Sequence, residues 1–249
     1  MKGVDISHYQ KGLTIQQVKD AGNEFAIIKL TEGDWLVDSC AFGFYREAYG
    51  MGFPIGCYCY SHAVTAFQAR QEAAFLLKTI NGFPMPCGIF LDVEEPKMLE
   101  LEPDKLLDVI ETWCEAIFRA GYVPGLYGSE YNLWAKIPPD VIPEYALAWV
   151  AHYGKEPDAA CDLWQFSDSG SIPGYKGNVD TDEVRSVRFE TLVDAGGCDY
   201  QYHHQLTPSV PDKPPDVCPV GSPLDLVADF LRTDACRELF EAFIAGRKG

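Results

Sequence analysis

Ile89-Phe90-Leu91-Asp92-Val93-Glu94 is the stretch that decides the architecture of this chain. An apolar run of strand character ends in two carboxylates at i and i+2. Side chains alternate across a strand, so Asp92 and Glu94 are expected on one face, about 6.6 Å apart at a rise of about 3.3 Å per residue. Parallel α/β barrels gather their active sites at the C-terminal ends of their strands. Two carboxylates placed there divide their roles: the one in the drier place keeps its proton, and the other stays ionised. That is the equipment for cutting a glycosidic bond. Alone, Asp-x-Glu is a common pair of solvated loop charges, and its meaning depends on its company.

Working outward, short apolar runs alternate with amphipathic segments over the first 197 residues, the pattern of α/β construction. Candidate strands are 3–7, 25–30, 55–61, 88–94, 124–128, 146–151 and 162–167, with a last short one near 179–182. Ala73, Leu76, Leu77 and Ile80 follow a helical stripe, as do Leu106, Ile110, Trp113 and Ile117. The second helix is expected to begin at Glu102-Pro103 and to stop at Gly121. Little room for helices remains after Ala151. The expectation is an irregular (β/α)8 TIM-like barrel, class α/β, with reduced late helices. On that frame Asp5 ends the first strand, Glu32 follows the second and Asp180 lies in the last. Together with Asp92 and Glu94 they would make an acidic cleft. Tyr58, Tyr60, Tyr127, Trp149 and Trp164 stand near strand ends, and their flat rings suit sugar rings. Core packing is the plainer reading of each, and Trp113, on its helix stripe, is assigned to the core.

The chain has 249 residues and a net charge of −17, from 37 acidic and 20 basic residues. That balance argues against capture of nucleic acid or anionic lipid and leaves an uncharged polymer open. No run of about 18 apolar residues is present, so no membrane insertion is expected. No basic-then-apolar leader opens the chain either, which suggests synthesis in the cytoplasm. Nine cysteines at irregular spacing fit buried free thiols better than a zinc site. Six prolines fall between Thr207 and Pro223. Residues 1–197 are therefore read as the barrel, 198–223 as a Pro-rich linker, and 224–249 as a helical tail carrying Leu224, Val227, Ala228 and Leu231. One helix cannot make its own core, so it is expected to dock on the barrel, on another chain or on a missing domain, and the tail is read as a wall-targeting or oligomerising one.

Several motifs in order resemble the glycoside hydrolase family 25 lysozymes, the Chalaropsis-type muramidases of bacteria, fungi and phages. They are Gly3-Val4-Asp5-Ile6-Ser7-His8-Tyr9-Gln10, Phe25-Ala26-Ile27-Ile28-Lys29 with Thr31-Glu32-Gly33, Gly56-Cys57-Tyr58, Leu91-Asp92-Val93-Glu94, Leu163-Trp164-Gln165-Phe166 and Gly177-Asn178-Val179-Asp180. The resemblance implies hydrolysis of the β-1,4 bond between N-acetylmuramic acid and N-acetylglucosamine in bacterial peptidoglycan, with no metal and no organic cofactor. It implies Glu94 as general acid, Asp92 as its partner, and Asp5 and Asp180 as the other acids of the cleft. Glu32, Tyr58, Tyr60, Tyr127 and Trp149 are the expected substrate-binding residues. Two departures stand out: Tyr9 replaces a usual Trp, and Cys59-Tyr60 replace a usual His-Phe, which removes an imidazole expected near the cleft. A phage or prophage endolysin acting on the cell wall is the setting these features suit, with an exported wall-remodelling enzyme as the alternative. A non-catalytic peptidoglycan- or chitin-binding protein on the same barrel is the rival function.

Overall fold

The structure, a computed structural model, describes residues 1–196. The expected linker and tail, 198–223 and 224–249, lie outside the described residues. In chain order the elements are β1 (Lys2–Ile6), α1 (Ile15–Asp20), β2 (Phe25–Glu32), β3 (Leu36–Val37), α2 (Ala41–Gly50), β4 (Ile55–Tyr60), α3 (Ala66–Ile80), β5 (Ile89–Asp92), α4 (Pro96–Leu99), α5 (Pro103–Arg119), β6 (Pro124–Ser129), β7 (Leu147–Ala151), β8 (Leu163–Gly170), β9 (Val179–Val184) and α6 (Val187–Asp194). Each predicted strand has its counterpart, and the two predicted helices are α3 and α5. Between β6 and β9 no α-helix forms among the described residues, as the short late connections foretold.

Eight strands close a barrel in the order β1-β2-β4-β5-β6-β7-β8-β9, with β1 paired to both β2 and β9. The ladders from β1 through β8 are parallel, but β9 runs antiparallel to both of its neighbours. This reversal makes the expected irregular (β/α)8 barrel a mixed one, and its cause is chain length. Only residues 171–178 join β8 to β9, too few for the crossover of a dozen or more that a parallel neighbour requires. The small β3, which the sequence reading lacked, pairs antiparallel with the end of β2.

Local signals set the helices. Thr65 accepts a hydrogen bond from the Gln68 N–H at the start of α3, and the helix ends on Asn81 in the left-handed region at φ 44°. Pro103 opens α5, where a missing N–H costs nothing, and its buried face carries Leu106, Ile110, Trp113 and Ile117.

Strand alternation divides the apolar residues into two cores. Val4, Ile6, Ala26, Ile28, Cys57, Cys59, Ile89, Leu91, Leu126, Ala148 and Val150 face outward and pack with the helices. Phe25, Ile27, Phe90, Tyr127, Leu147, Trp149 and Leu163 fill the lumen, joined from below by Phe189 of α6. The barrel is thus plugged and its chemistry confined to one end. Room for the plug comes from small residues: a Cβ on Gly125 would stand 2.3 Å from the Phe90 ring. Gly125→Ala should therefore cost about 1–3 kcal/mol by overpacking, read as a lower thermal midpoint. No helix among the described residues is long and apolar enough to cross a membrane.

Candidate active site

At the C-terminal end of the parallel strands lies a cleft of about 450 Å³. Asp5, Glu32, Tyr58, Tyr60, Asp92, Glu94 and Asp180 line it, together with Tyr9, Gln10, Lys29, His62 and Glu95. Acids come from β1, β2, β5, the segment after β5, and β9. The β1–β9 ladder sets Asp5 directly across from Asp180. β5 ends at Asp92, so Glu94 stands beyond the strand; Val93 adds one more rung by donating to the Tyr127 carbonyl at 2.9 Å.

The two acids differ in exposure in the opposite sense to a dry Glu94. Asp92 is 4% exposed, and its Oδ1 has no hydrogen-bond partner among the described residues. Glu94 opens onto the cleft. Burial, then the charge of Glu94, push Asp92 well above the usual carboxylate range, and Lys29 pulls the other way. Glu94 is itself raised by the walls that crowd it and by Asp180. Asp180 is pushed up to about 6 by burial and by Asp168. Asp5 is raised well above the normal range, by burial first and then by Asp182, Asp180 and Asp92. Such a cluster cannot be fully ionised near neutral pH, so it stores protons close to the surface where a substrate would lie.

Lys29 is the buried cation of this region. It is 7% exposed, donates to Glu32 at 2.6 Å and lies 5.0 Å from the centre of the Tyr60 ring. Burial alone would raise Glu32, but Lys29 and His62 outweigh it and hold the carboxyl below its ordinary value. Gln165, 1% exposed, ties three residues together. Its amide donates to Asp5 Oδ2 at 2.8 Å, and its oxygen accepts from Tyr127 at 2.9 Å and Tyr153 at 2.8 Å. Neither Lys29 nor Gln165 had been given a role from sequence, although both sit in quoted motifs. Period-two alternation through β2 and β8 places both on the lumen face.

Two predicted substrate-binding residues do not reach the cleft wall. Trp149 is 1% exposed, packs on Phe90 and Tyr127, and donates its indole N–H to Asp182 at 2.8 Å. Tyr127 is 8% exposed and spends its hydroxyl on Gln165. Both stand in the lumen beneath the acids because β6 and β7 continue past them toward the mouth. Trp164 likewise turns away, donating to the His152 carbonyl at 2.7 Å and stacking with Arg185.

The rim carries two exposed aromatics, Tyr9, noted from sequence only as a replacement for Trp, and Trp35, which was given no role. Tyr9 and Trp35 are 79% and 60% exposed. Trp35 lies 4.9 Å from the His62 ring, and His62 lies within 3.3 Å of both Glu32 and Glu95. The loop bearing His62 is fixed from α3, where buried Glu72 accepts from Ser61 at 2.6 Å and from the His62 N–H at 2.9 Å. On the other side Asp38 accepts from the His8 N–H at 3.0 Å and meets its ring at 2.6 Å, which anchors the Tyr9 turn.

Comparison with known proteins bears on what this cleft is. The model of glycosyl hydrolases family 25 matches residues 4–175, which carry five of the six acids that line the cleft. The chain belongs to glycosyl hydrolases family 25. The autolytic lysozyme of Clostridium acetobutylicum is 32% identical over 186 residues, covering 74% of this chain and 55% of that protein. This chain thus spans about half the length of that curated relative. Two solved structures share the fold. The bacterial lysozyme from Streptomyces coelicolor has a TM-score of 0.68 at 23% identity, over 79% of this chain and 98% of that one. The catalytic domain of endolysin ply40 from bacteriophage P40 of Listeria monocytogenes has a TM-score of 0.65 at 24% identity, over 78% and 97%.

One departure from the family 25 pattern now looks different. Cys59 is fully buried in the outer core, on the opposite face of β4 from Tyr58 and Tyr60. The Cys59 side chain therefore belongs to the packing between sheet and helices and does not line the cleft wall. Burial pushes the Cys57 and Cys59 thiols far up, which removes them as nucleophiles near neutral pH. His62, three residues on, supplies an imidazole to the cleft from a different place.

Proposed function

We propose that the chain is a lysozyme that hydrolyses the β-1,4 bond between N-acetylmuramic acid and N-acetylglucosamine in bacterial peptidoglycan. The observation that carries this reading is the mouth itself: six acids from four strands and one strand-end segment around a single cleft, with raised proton affinity at Asp5, Asp92, Glu94 and Asp180. Glu94 is the general acid. It opens onto the cleft, and a bound glycan would displace the remaining water around it and strengthen its hold on the proton. Asp92, deeper and beside it, orients the substrate acetamido group or stabilises positive charge developing on the sugar. Asp5 and Asp180 complete the negative field that favours an oxocarbenium-like transition state. Tyr58 and Tyr60 on the wall, with Glu32, bind sugar; an acetamido-assisted route with retention needs no protein nucleophile. The wall polymer is the partner, and the chemistry calls on no metal or cofactor.

The test is digestion of purified peptidoglycan, with mass spectrometry of the new sugar ends. Muramic acid at the reducing ends is the expected result. N-acetylglucosamine ends would overturn the bond assignment, and binding without cleavage of any wall tested would replace the enzyme with a binding protein.

A further inference from the structure

Beneath Asp5 lies a second carboxyl that the proposed chemistry does not use. Asp182 is 0% exposed, two residues along β9 from Asp180 and on the same face. The ladders pair Asp5 with Asp180 and Gln165 with Asp182, so Asp182 sits diagonal to Asp5 and beside the glutamine that holds it. Asp182 Oδ1 accepts the Trp149 indole N–H at 2.8 Å. Its Oδ2 is buried with no donor among the described residues, and its neighbour for a hydrogen bond is Asp5. Asp5 in turn is 6% exposed and receives the Gln165 amide on Oδ2. The groups acting most strongly on the two are acids and neutral donors, with no cation among them.

Two carboxylates in contact, both buried and without a cation, are too costly to ionise together. A single proton resolves every open valence at once. Held between Asp5 and Asp182 Oδ2, it gives that orphan oxygen a partner and ties Asp5 to β9 beside the bond from Gln165. We propose that Asp182 is a positioning residue that shares one proton with Asp5 through Oδ2, so that the buried pair bears one negative charge and Asp5 is held in place at the cleft. Burial first, and then Asp180, push Asp182 up to about 8 against the pull of the Trp149 bond and of the hydrogen bond from Asp5. The other titratable groups facing the pair are Asp92 from β5, Tyr58 from β4 and Tyr127 from β6. The effect on rate rests on the lysozyme reading above; the shared proton does not.

Full-length wild type, Asp182→Asn and Asp182→Ala separate the two. Infrared spectra at neutral pH should lose one protonated-carboxyl carbonyl band in Asp182→Asn; a band that persists overturns the shared proton, whether or not the protein cuts any wall. Asparagine can still donate to Asp5 and accept from Trp149, whereas alanine does neither. Asp182→Asn should therefore clear peptidoglycan about tenfold faster than Asp182→Ala, the worth of a hydrogen bond to a charged group. The alkaline limb of the wild-type rate, where Glu94 and the pair both lose protons, should become less steep in Asp182→Asn, because one of those groups is gone. An unchanged limb overturns the positioning role, and it does so even if Asp182→Ala fails to fold.

Discussion

Glu94→Gln is expected to slow peptidoglycan clearing by about 10²–10⁴-fold, the range that a positioned general acid supplies. Glutamine preserves the shape at the mouth but has no proton to give to a departing sugar oxygen. Wall binding should survive, because Tyr58, Tyr60 and the rim rings Tyr9 and Trp35 are untouched. The thermal midpoint should hold or rise, since one member of a crowded acid cluster becomes neutral. Glu95→Gln is the control: its carboxyl meets His62 at the rim, and a loss of under tenfold is expected there. A Glu94→Gln protein that clears walls at the wild-type rate would move the acid elsewhere in the cleft. The wild-type rate should also fall as pH rises through the raised value of Glu94, because the acid is then spent.

Heating the protein across a pH series should reveal an acid-loving fold. Most buried carboxylates in proteins are paired and stabilise at neutral pH; here Asp5, Asp92, Asp180 and Asp182 are all raised by burial. Asp182 is pushed from 3.8 to about 8, and Asp180 to about 6. In the unfolded chain these groups lose their protons near 4, whereas the folded chain keeps them. The folded state then binds more protons than the unfolded state, and stability falls as pH rises through this window. With Asp180 already ionised, the protons held by Asp182 and its buried neighbours Asp5 and Asp92 make stability fall between pH 6 and 8. The thermal midpoint should drop with it, by about a few degrees over that range. Calorimetry giving a flat or rising midpoint from pH 6 to 8 would remove the proton store.

Much of the barrel could be read from residue order, because the lumen and the outer layer both need period-two patterning while the helices need their own stripe. Trp113 and Ile110 declared the buried face of α5, and the Asp92 stretch declared the working end. The direction of β9 was less accessible. A strand looks the same in both directions, and only the short 171–178 connection carried the information. Depth was the other gap. Trp149 reads as a rim ring from its place near a strand end, yet it lies in the lumen beneath the acids, because neighbouring strands stagger around a barrel. Gln165 and Asp182 bond to partners between 12 and 160 positions away, and Lys29 acts through its burial; local spacing does not encode such features. His62 escaped for a related reason: it stands on a loop whose position is fixed by Glu72 on α3.

The reversal of β9 also decides how this catalyst can be wired to other modules. Because the strand descends, it delivers Asp180 to the mouth at its beginning and leaves from the opposite end, where Val184 hydrogen-bonds to Met1. α6 then caps the floor, with Phe189 against Phe25 and Glu190 near the N-terminus. Both ends of the described barrel are therefore anchored on the side away from the cleft. A module joined at Met1 would be tethered from behind, so an N-terminal tag should be tolerated without retuning the mouth.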